Sequence, residues 1–254
     1  MDARLTMDPI DSGFPFAALR VPDAPPLREE RLPFTVREVS TLEQLGKAVA
    51  IRHSAYGRHV PALAEHLREP EALDTADGCT VLLAESKLDG EPVGTMRIQT
   101  NRYRPLALES SVTLPRRFAG CSLAEATRLG VSVGRMGHVV RTALFKAFYL
   151  HCAQAGVESM VITARSPLER MYEALLFSDV FPGEPPRPIK HVGNIPHRVL
   201  SLDVEAVEPS WRAARHPLYD YFFRTAHPDM QPGGERFAAM AAAPVAEPRL
   251  VANA

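Results

Sequence analysis

Residues 120–145 constrain the fold more than any other stretch of the chain. They read Gly-Cys-Ser-Leu-Ala-Glu-Ala-Thr-Arg-Leu-Gly-Val-Ser-Val-Gly-Arg-Met-Gly-His-Val-Val-Arg-Thr-Ala-Leu-Phe. The first half, 123–131, is a mostly apolar run carrying Glu125 and Arg128, which predicts a strand. Gly134 and Gly137 around Arg135 mark a turn. From His138 onward, Leu144, Phe145 and Phe148 predict a helix. A strand that runs through a glycine turn into a helix can place a carboxylate beside free backbone N–H groups. That combination suits transfer of an acyl group from a thioester to an amine.

Composition limits what surrounds this unit. With 254 residues, 46% of them hydrophobic, the chain can bury a real core as one large domain with tails or as two small ones. A net charge of −1 implies no bulk attraction to nucleic acid. No apolar run approaches the ~18 residues of a membrane span, and the polar, acidic start is unlike a signal peptide. Cys79, Cys121 and Cys152 are odd in number and far apart, so they fit neither a disulfide framework nor a zinc site. No metal and a cytoplasmic setting are the expectations.

Along the chain, residues 1–33 are rich in proline and charge and read as a flexible N-terminal arm. Residues 34–39 alternate as a first strand. Thr41 then caps a helix to residue 56, and Pro61 restarts a shorter one. Residues 70–77 form an acidic connector. Strands at 80–88 and 92–100 flank an Asp89-Gly90 hairpin turn, and 101–115 is irregular and basic. After the central unit, Gly156 ends the helix. A buried strand follows at 158–163 and a short helix at 167–176, with further strands at 180–186 and 199–204. Residues 211–223 read as an aromatic-rich helical segment broken at Pro217, and 228–254 as a disordered Ala/Pro-rich tail. The domain is thus 34–227, a mixed α/β layer with an antiparallel first half and parallel strands that can splay apart after the hairpin.

Three short phrases carry a resemblance: Asp74-Thr-Ala-Asp77, Gly94-Thr-Met-Arg97 and Glu125-Ala-Thr-Arg128. Their order and spacing resemble the acyl-homoserine-lactone synthases of the GNAT acyltransferase superfamily. Arg52-His-Ser-Ala-Tyr56 and the segment from His216 to Phe223 look more like the related long-chain N-acyl amino acid synthases. The resemblance covers residues 34–227. It implies a GNAT-like mixed sheet flanked by helices, and acyl carrier protein as thioester donor. Two departures stand out. Arg135-Met-Gly137-His-Val does not match the GNAT pyrophosphate loop, which disfavours free coenzyme A but not a phosphopantetheine arm on a carrier protein. Leu176 replaces the glycine of the common Tyr-x-x-x-Gly-Phe helix end that begins here at Tyr172.

Each candidate residue has a functional and a plainer reading. Glu125 can accept the proton of an attacking amine, or merely pair with Arg128. Arg128, three residues on in a strand, shares its face only across a β-bulge; it either holds an acceptor carboxylate or braces acids. Asp74 and Asp77 form an ammonium-binding corner or a solvated connector. Arg97 is mid-strand and paired, next to Asp77 by the resemblance. Arg52, also by the resemblance, lies near the acceptor, its alternative being a surface arginine. Backbone N–H groups at Val131, Gly134 and Gly137 suit an oxyanion, or are ordinary loop positions. Tyr172 protonates the leaving thiolate in many GNAT enzymes, and is otherwise a packing residue. Arg135, Arg141 and Lys146 can meet an acidic carrier protein, or be scattered surface bases. Met136, Phe145, Phe148, Met160 and Met171 line an acyl pocket or simply belong to the core.

The expected activity is N-acyl transfer of a long chain from acyl carrier protein to the α-amine of an amino acid or a related amine. No bound cofactor or nucleic-acid partner is expected, and the product is compatible with a peripheral membrane contact at release. The rivals are a homoserine-lactone synthase using S-adenosylmethionine, an acetyl-CoA-dependent N-acetyltransferase, and a non-catalytic acyl-binding module.

Overall fold

The structure, a computed structural model, describes residues 27–232. Residues 1–26 of the arm and 233–254 of the tail lie outside it. Eleven strands and five helices occur in the order β1 (Arg28–Glu29), β2 (Phe34–Glu38), α1 (Leu42–Gly57), α2 (Pro61–Glu65), β3 (Cys79–Ser86), β4 (Pro92–Thr100), β5 (Leu123–Val131), α3 (Arg135–Ala155), β6 (Ser159–Ala164), α4 (Glu169–Glu173), β7 (Ser178–Asp179), β8 (Arg187–Ile189), β9 (Ile195–Asp203), α5 (Val207–Ala213), β10 (Thr225–Ala226) and β11 (Met230–Gln231).

Local sequence explains most of these boundaries. Thr41 Oγ1 accepts from Gln44 N–H at 3.2 Å, satisfying one free donor of α1, and the Gln44 side chain reaches back to the N–H of Ser40, just before the cap, at 2.8 Å. Gly156, at φ 65°, closes α3 with its N–H on the Cys152 carbonyl. Within α3, Val140, Leu144 and Phe148 recur four apart and are fully buried. Each contributes about 1.5–3 kcal/mol of burial.

The main sheet runs β11-β2-β3-β4-β5-β6-β9-β7, with β8 beside β9. From β2 to β5 every neighbour is antiparallel, while β5 and β6 are parallel. That parallel pairing covers only Leu123–Ala126 against Ser159–Ile162. Beyond it β5 stays with β4, and β6 goes on with β9 alone, so the two strands part and a cleft opens. The expected mixed, splayed sheet is present.

A bulge shapes the β5 wall of that cleft. Thr127 faces Arg97 and Gly130 faces Thr95, so Arg128 and Leu129 together oppose Met96. Arg128 has φ 55°. This irregularity lets a residue three positions after Glu125 return to the same side of the sheet. Helix α1 packs closely over it: a Cβ on Gly130 would lie 3.1 Å from Ala55 Cβ and 3.2 Å from Arg52 Cα.

Three expectations need correction. Residues 180–186 are not a strand: Pro182, Pro185 and Pro186 lack N–H groups for a ladder, and the chain turns at Gly183. Only the flanks, β7 and β8, pair with β9. The helical segment placed at 211–223 begins earlier, as α5, and Asp220–Arg224 forms a separate π-helical turn. The domain is also wider than 34–227. Strand β1 pairs with β10, β11 pairs with β2, and Asp229 accepts the Leu32 N–H at 2.9 Å and contacts Lys87 at 2.7 Å. Backbone pairing and ion pairs hold these short pieces, which apolar composition does not reveal.

Candidate active site

Three arginines converge beneath the bulge: Arg52 from α1, Arg97 from β4 and Arg128 from β5, each buried. Their partners are Glu71 and Asp74. Arg52 donates to both Asp74 oxygens at 2.9 Å. Arg97 reaches Glu71 at 3.0 Å, Asp74 at 3.1 Å and Thr127 Oγ1 at 3.2 Å. Arg128 grips Glu71 at 2.6 and 2.7 Å and donates to the His191 carbonyl at 2.9 Å. The two carboxylates meet because a single 3-10 turn, Ala72–Asp74, carries them three apart, where side chains eclipse. Asp74 also accepts the Glu71 N–H at 2.8 Å. Burial alone pushes the Glu71 carboxyl up, but the hydrogen bonds and charges of Arg128, Arg97 and Arg52 outweigh it and hold the pKa at about 2.

Asp77, expected beside Arg97, is exposed and outside this cluster. The turn ends before it, and the chain has already swung toward β3. Glu71 takes the place assigned to Asp77. Its signal was present in the sequence: Glu71 and Asp74 have capping-box spacing just after Pro70. Arg52 is the most deeply buried arginine of the set, so the surface reading is excluded.

Glu125 is fully buried on β5. Its Oε2 accepts the Leu108 N–H at 3.0 Å. Its Oε1 has no hydrogen-bond partner among the described residues and lies 3.7 Å from His191 Nε2. Burial raises its pKa to about 7, against the opposing pull of the Leu108 N–H, Arg97 and Arg128. Its predicted direct ion pair with Arg128 is absent among the described residues, because Arg128 is committed to Glu71. His191 was not singled out from the sequence. It sits on a 3-10 turn, Lys190–Val192, closed by Gly193 in the left-handed region, and no motif surrounds it. Burial, then the charges of Arg128 and Arg97, depress its pKa to about 4, so its ring is neutral near pH 7.

The cleft between β5 and β6 holds about 220 Å³. Its walls include Thr127–Val131 numerically along β5, residues 163–165 of and after β6, Tyr56 of α1, Tyr172 of α4, and His191. Arg58, Arg128, Arg141 and Arg165 line it, and no Asp or Glu does among the described residues. Met96, Leu129, Leu168, Met171 and Val192 supply its apolar part. Tyr172 is buried, and burial pushes its hydroxyl well above the usual range. Leu176 keeps the left-handed turn of the glycine it replaces, at φ 64°, while Phe177 N–H returns to the Tyr172 carbonyl at 3.0 Å.

Other expected positions are scattered. Val131 lines the cleft, whereas Gly134 and Gly137 do not. Gly134 caps α3 at φ 85°. Gly137 lets α3 abut the preceding turn, since a Cβ there would lie 1.9 Å from the Ser132 carbonyl oxygen. Arg135 is exposed, and Arg141 lines the cleft with a 2.8 Å contact to His138 Nδ1. Lys146 is not a surface base. It is buried, with its ammonium on the carbonyls of Tyr221 and Thr225 and on His227 Nδ1 at 2.6–2.9 Å. The C-terminal segment folds over α3 and covers it. Of the five apolar residues expected at an acyl pocket, Met171 lines the cleft; Phe145, Phe148 and Met160 are core, and Met136 is exposed.

The family of the N-acyl amino acid synthase FeeM matches residues 47–203, more than half the chain. The chain belongs to that family. It is therefore an acyltransferase of the N-acyl amino acid synthase type. The match spans Arg52, Glu71, Asp74, Arg97, Glu125, Arg128, Tyr172 and His191. No curated protein matches the chain. Among solved structures it is similar to FeeM, an N-acyl amino acid synthase from uncultured soil microbes, at 15% identity and TM-score 0.55, over 74% of this chain and 96% of that one. It is also similar to BjaI, a CoA-dependent acyl-homoserine lactone synthase, at 14% identity and TM-score 0.50, over 82% and 97%. At these identities the likeness extends to the fold.

Outside the matched residues, this N-acyl amino acid synthase family member carries an aromatic cluster. Trp211 stacks on His216 at 3.8 Å and packs against Phe222 and Phe223. Tyr149 of α3 joins it, with its ring 6.4 Å from that of Phe222 and 5.5 Å from that of Phe223. Among the described residues no helix is long and apolar enough to cross a membrane.

Proposed function

We propose that this acyltransferase moves a long-chain acyl group from acyl carrier protein to the α-amine of an amino acid. The observation that carries the reading is the charge of the cleft: four arginines and no carboxylate among its described lining residues. An amino acid brings a carboxylate that this field attracts, as does the phosphate of a phosphopantetheine arm. A lactone synthase would have to hold a cationic sulfonium against the same field, which disfavours S-adenosylmethionine as acceptor. Arg128 spends Nε and Nη2 on Glu71 and the His191 carbonyl and keeps only a buried Nη1 free, so Arg141 and Arg165 are the better placed to meet the incoming anion.

The chemistry is direct. The neutral amine attacks the thioester carbonyl, a C–N bond forms, the C–S bond breaks, and the thiolate leaves as thiol after taking a proton. The amine's proton needs a sink near the cleft, and the buried carboxyl of Glu125, poised at about 7, supplies it. Tyr172, facing the same cleft, is placed to hydrogen-bond the departing sulfur. The N–H of Val131 is the remaining candidate for the oxyanion. Arg52, Arg97, Glu71 and Asp74 hold the bulge and Arg128 in place rather than moving protons.

The donor reading rests on the turn before α3. Its Arg135-Met-Gly137-His-Val sequence departs from the GNAT pyrophosphate loop, which supports a carrier-borne phosphopantetheine arm over free coenzyme A. Exposed Arg135 remains a contact for an acidic carrier, and exposed Val133, Met136 and Val139 beside it suit transient contact with a membrane surface as the acyl product leaves. The three free cysteines suit a reducing, cytoplasmic setting.

The test is a side-by-side assay of long-chain acyl carrier protein and acetyl-CoA with mixed amino acids and with amines lacking a carboxylate. Acyl carrier protein should exceed acetyl-CoA by at least ~10²-fold in kcat/KM, because each buried methylene adds ~0.8 kcal/mol. Amines without a carboxylate should be poor acceptors. Equal use of acetyl-CoA would replace this reading with an ordinary N-acetyltransferase.

A further inference from the structure

The proton sink and the cleft do not touch. Glu125 is fully buried and is not among the residues that line the cleft. His191 is: its side chain retains 13% exposure and stands at the wall. Nε2 of its ring lies 3.7 Å from Glu125 Oε1, one small movement short of a hydrogen bond. Both that oxygen and His191 Nδ1 lack a partner among the described residues, although each is buried. The large majority of buried polar side-chain atoms have a partner. The backbone of His191 is fixed independently, by the Arg128 guanidinium on its carbonyl and by the Lys190 N–H on Ser111 Oγ at 2.9 Å.

We infer that His191 receives the proton of the attacking amine, with the Glu125 carboxylate behind it balancing the charge, so that the two act as one relay. This rests on the acyltransfer reading of the cleft. As the C–N bond forms, one ring nitrogen takes the amine proton and the other passes its own proton to Glu125 Oε1. When the C–S bond has broken, the same path runs in reverse and the proton ends on the thiol. The ring's other neighbours are Arg128 of β5, Arg97 of β4, His197 of β9 and the Ala107 backbone, of which only the Ala107 contact favours a charged ring. Against two arginines that one neutral contact is weak, and Glu125 is the carboxylate at hand to stabilise an imidazolium. Direct hydrogen bonds in such pairs commonly tighten only when substrate is bound.

The experiment combines turnover and spectroscopy on the full chain. With long-chain acyl carrier protein and mixed amino acids, His191→Gln should lower kcat about 10²-fold, and His191→Ala should regain turnover on addition of imidazole. Parental turnover in His191→Gln overturns the relay, as does a folded His191→Ala that imidazole never rescues. In the second arm, NMR of labelled histidine follows the His191 ring in the protein without substrate. Its signals should shift as the pair takes up its first proton, at about pH 7, and that step should vanish in Glu125→Gln. A step identical in both proteins, or absent from the parent, overturns the pairing. An inactive parent would instead bring down the acyltransfer reading, and the NMR arm would still decide whether the pair exists.

Discussion

Replacing Glu125 by glutamine should make the protein's stability less dependent on pH, in a direction that follows from burial. The carboxyl's pKa is raised from 4.5 to about 7 in the folded chain. Between those values the folded state holds a proton that the unfolded state has released. Stability from this group is therefore complete below about pH 4.5 and is lost as pH rises through about 7. At about 1.4 kcal/mol per pKa unit, raising the carboxyl from 4.5 to about 7 makes the full loss, from acid to above pH 7, about 3.5 kcal/mol. No discount for solvent applies, because the side chain is fully buried. Glutamine keeps an oxygen for the Leu108 N–H and never ionises, so its own cost is the same at every pH. Urea unfolding of both proteins from about pH 5 to 9 isolates the difference. The gap should move in favour of Glu125→Gln by about 2.5 kcal/mol across that range, most of it between pH 5 and 7. A gap that stays flat would mean that Glu125 ionises normally, and its role as a base poised near neutrality would go with it.

The remaining predictions concern the scaffold. Asp74→Asn strands Arg52 and Arg97 beside a neutral amide in a buried site, so it should cost about 3–5 kcal/mol in urea unfolding, whereas Asp77→Asn, on an exposed side chain, should stay within about 0.5 kcal/mol. Leu176→Gly should raise stability by about 0.5–1 kcal/mol, since Leu176 holds a left-handed turn that favours glycine and is partly exposed; a loss of that size would show that its packing outweighs its backbone.

How far the sequence led is clearest at particular residues. The β5–turn–α3 unit was legible because its signals are local: a mostly apolar run, glycines, then helical spacing. The bulge at Arg128 was legible for another reason, since two charged residues three apart in a strand reach one face only across an irregularity. Glu71 was readable in principle from its spacing to Asp74, but Asp77 satisfied the same i, i+3 rule and no local signal ranks the two. His191 and Lys146 were not readable. His191 lies far along the chain from Glu125 and reaches it only through the path of the turn after β8. Lys146 lies on the α3 face that residues 221–227 cover, and nothing within the helix records what will fold over it. Both are long-range consequences of topology, which propensity and period do not encode.

The charge balance of the site connects the buried cluster to the chemistry. Three arginines face two carboxylates, Glu71 and Asp74, so the cluster carries one excess positive charge whenever Glu125 is protonated. That excess lowers the proton affinity of Glu125 and opposes what burial does to it. On the proposed reading, the acceptor arrives as a carboxylate drawn by Arg141 and Arg165 into the same low-dielectric cleft. Its negative charge cancels part of the field from Arg97 and Arg128 at Glu125, so binding the anion strengthens the base at the moment an amine is present to be deprotonated. An uncharged amine brings no such cancellation and leaves Glu125 the weaker base. Selectivity for amino acids would then reside in kcat as well as in KM, and the four arginines of the cleft would serve activation together with capture.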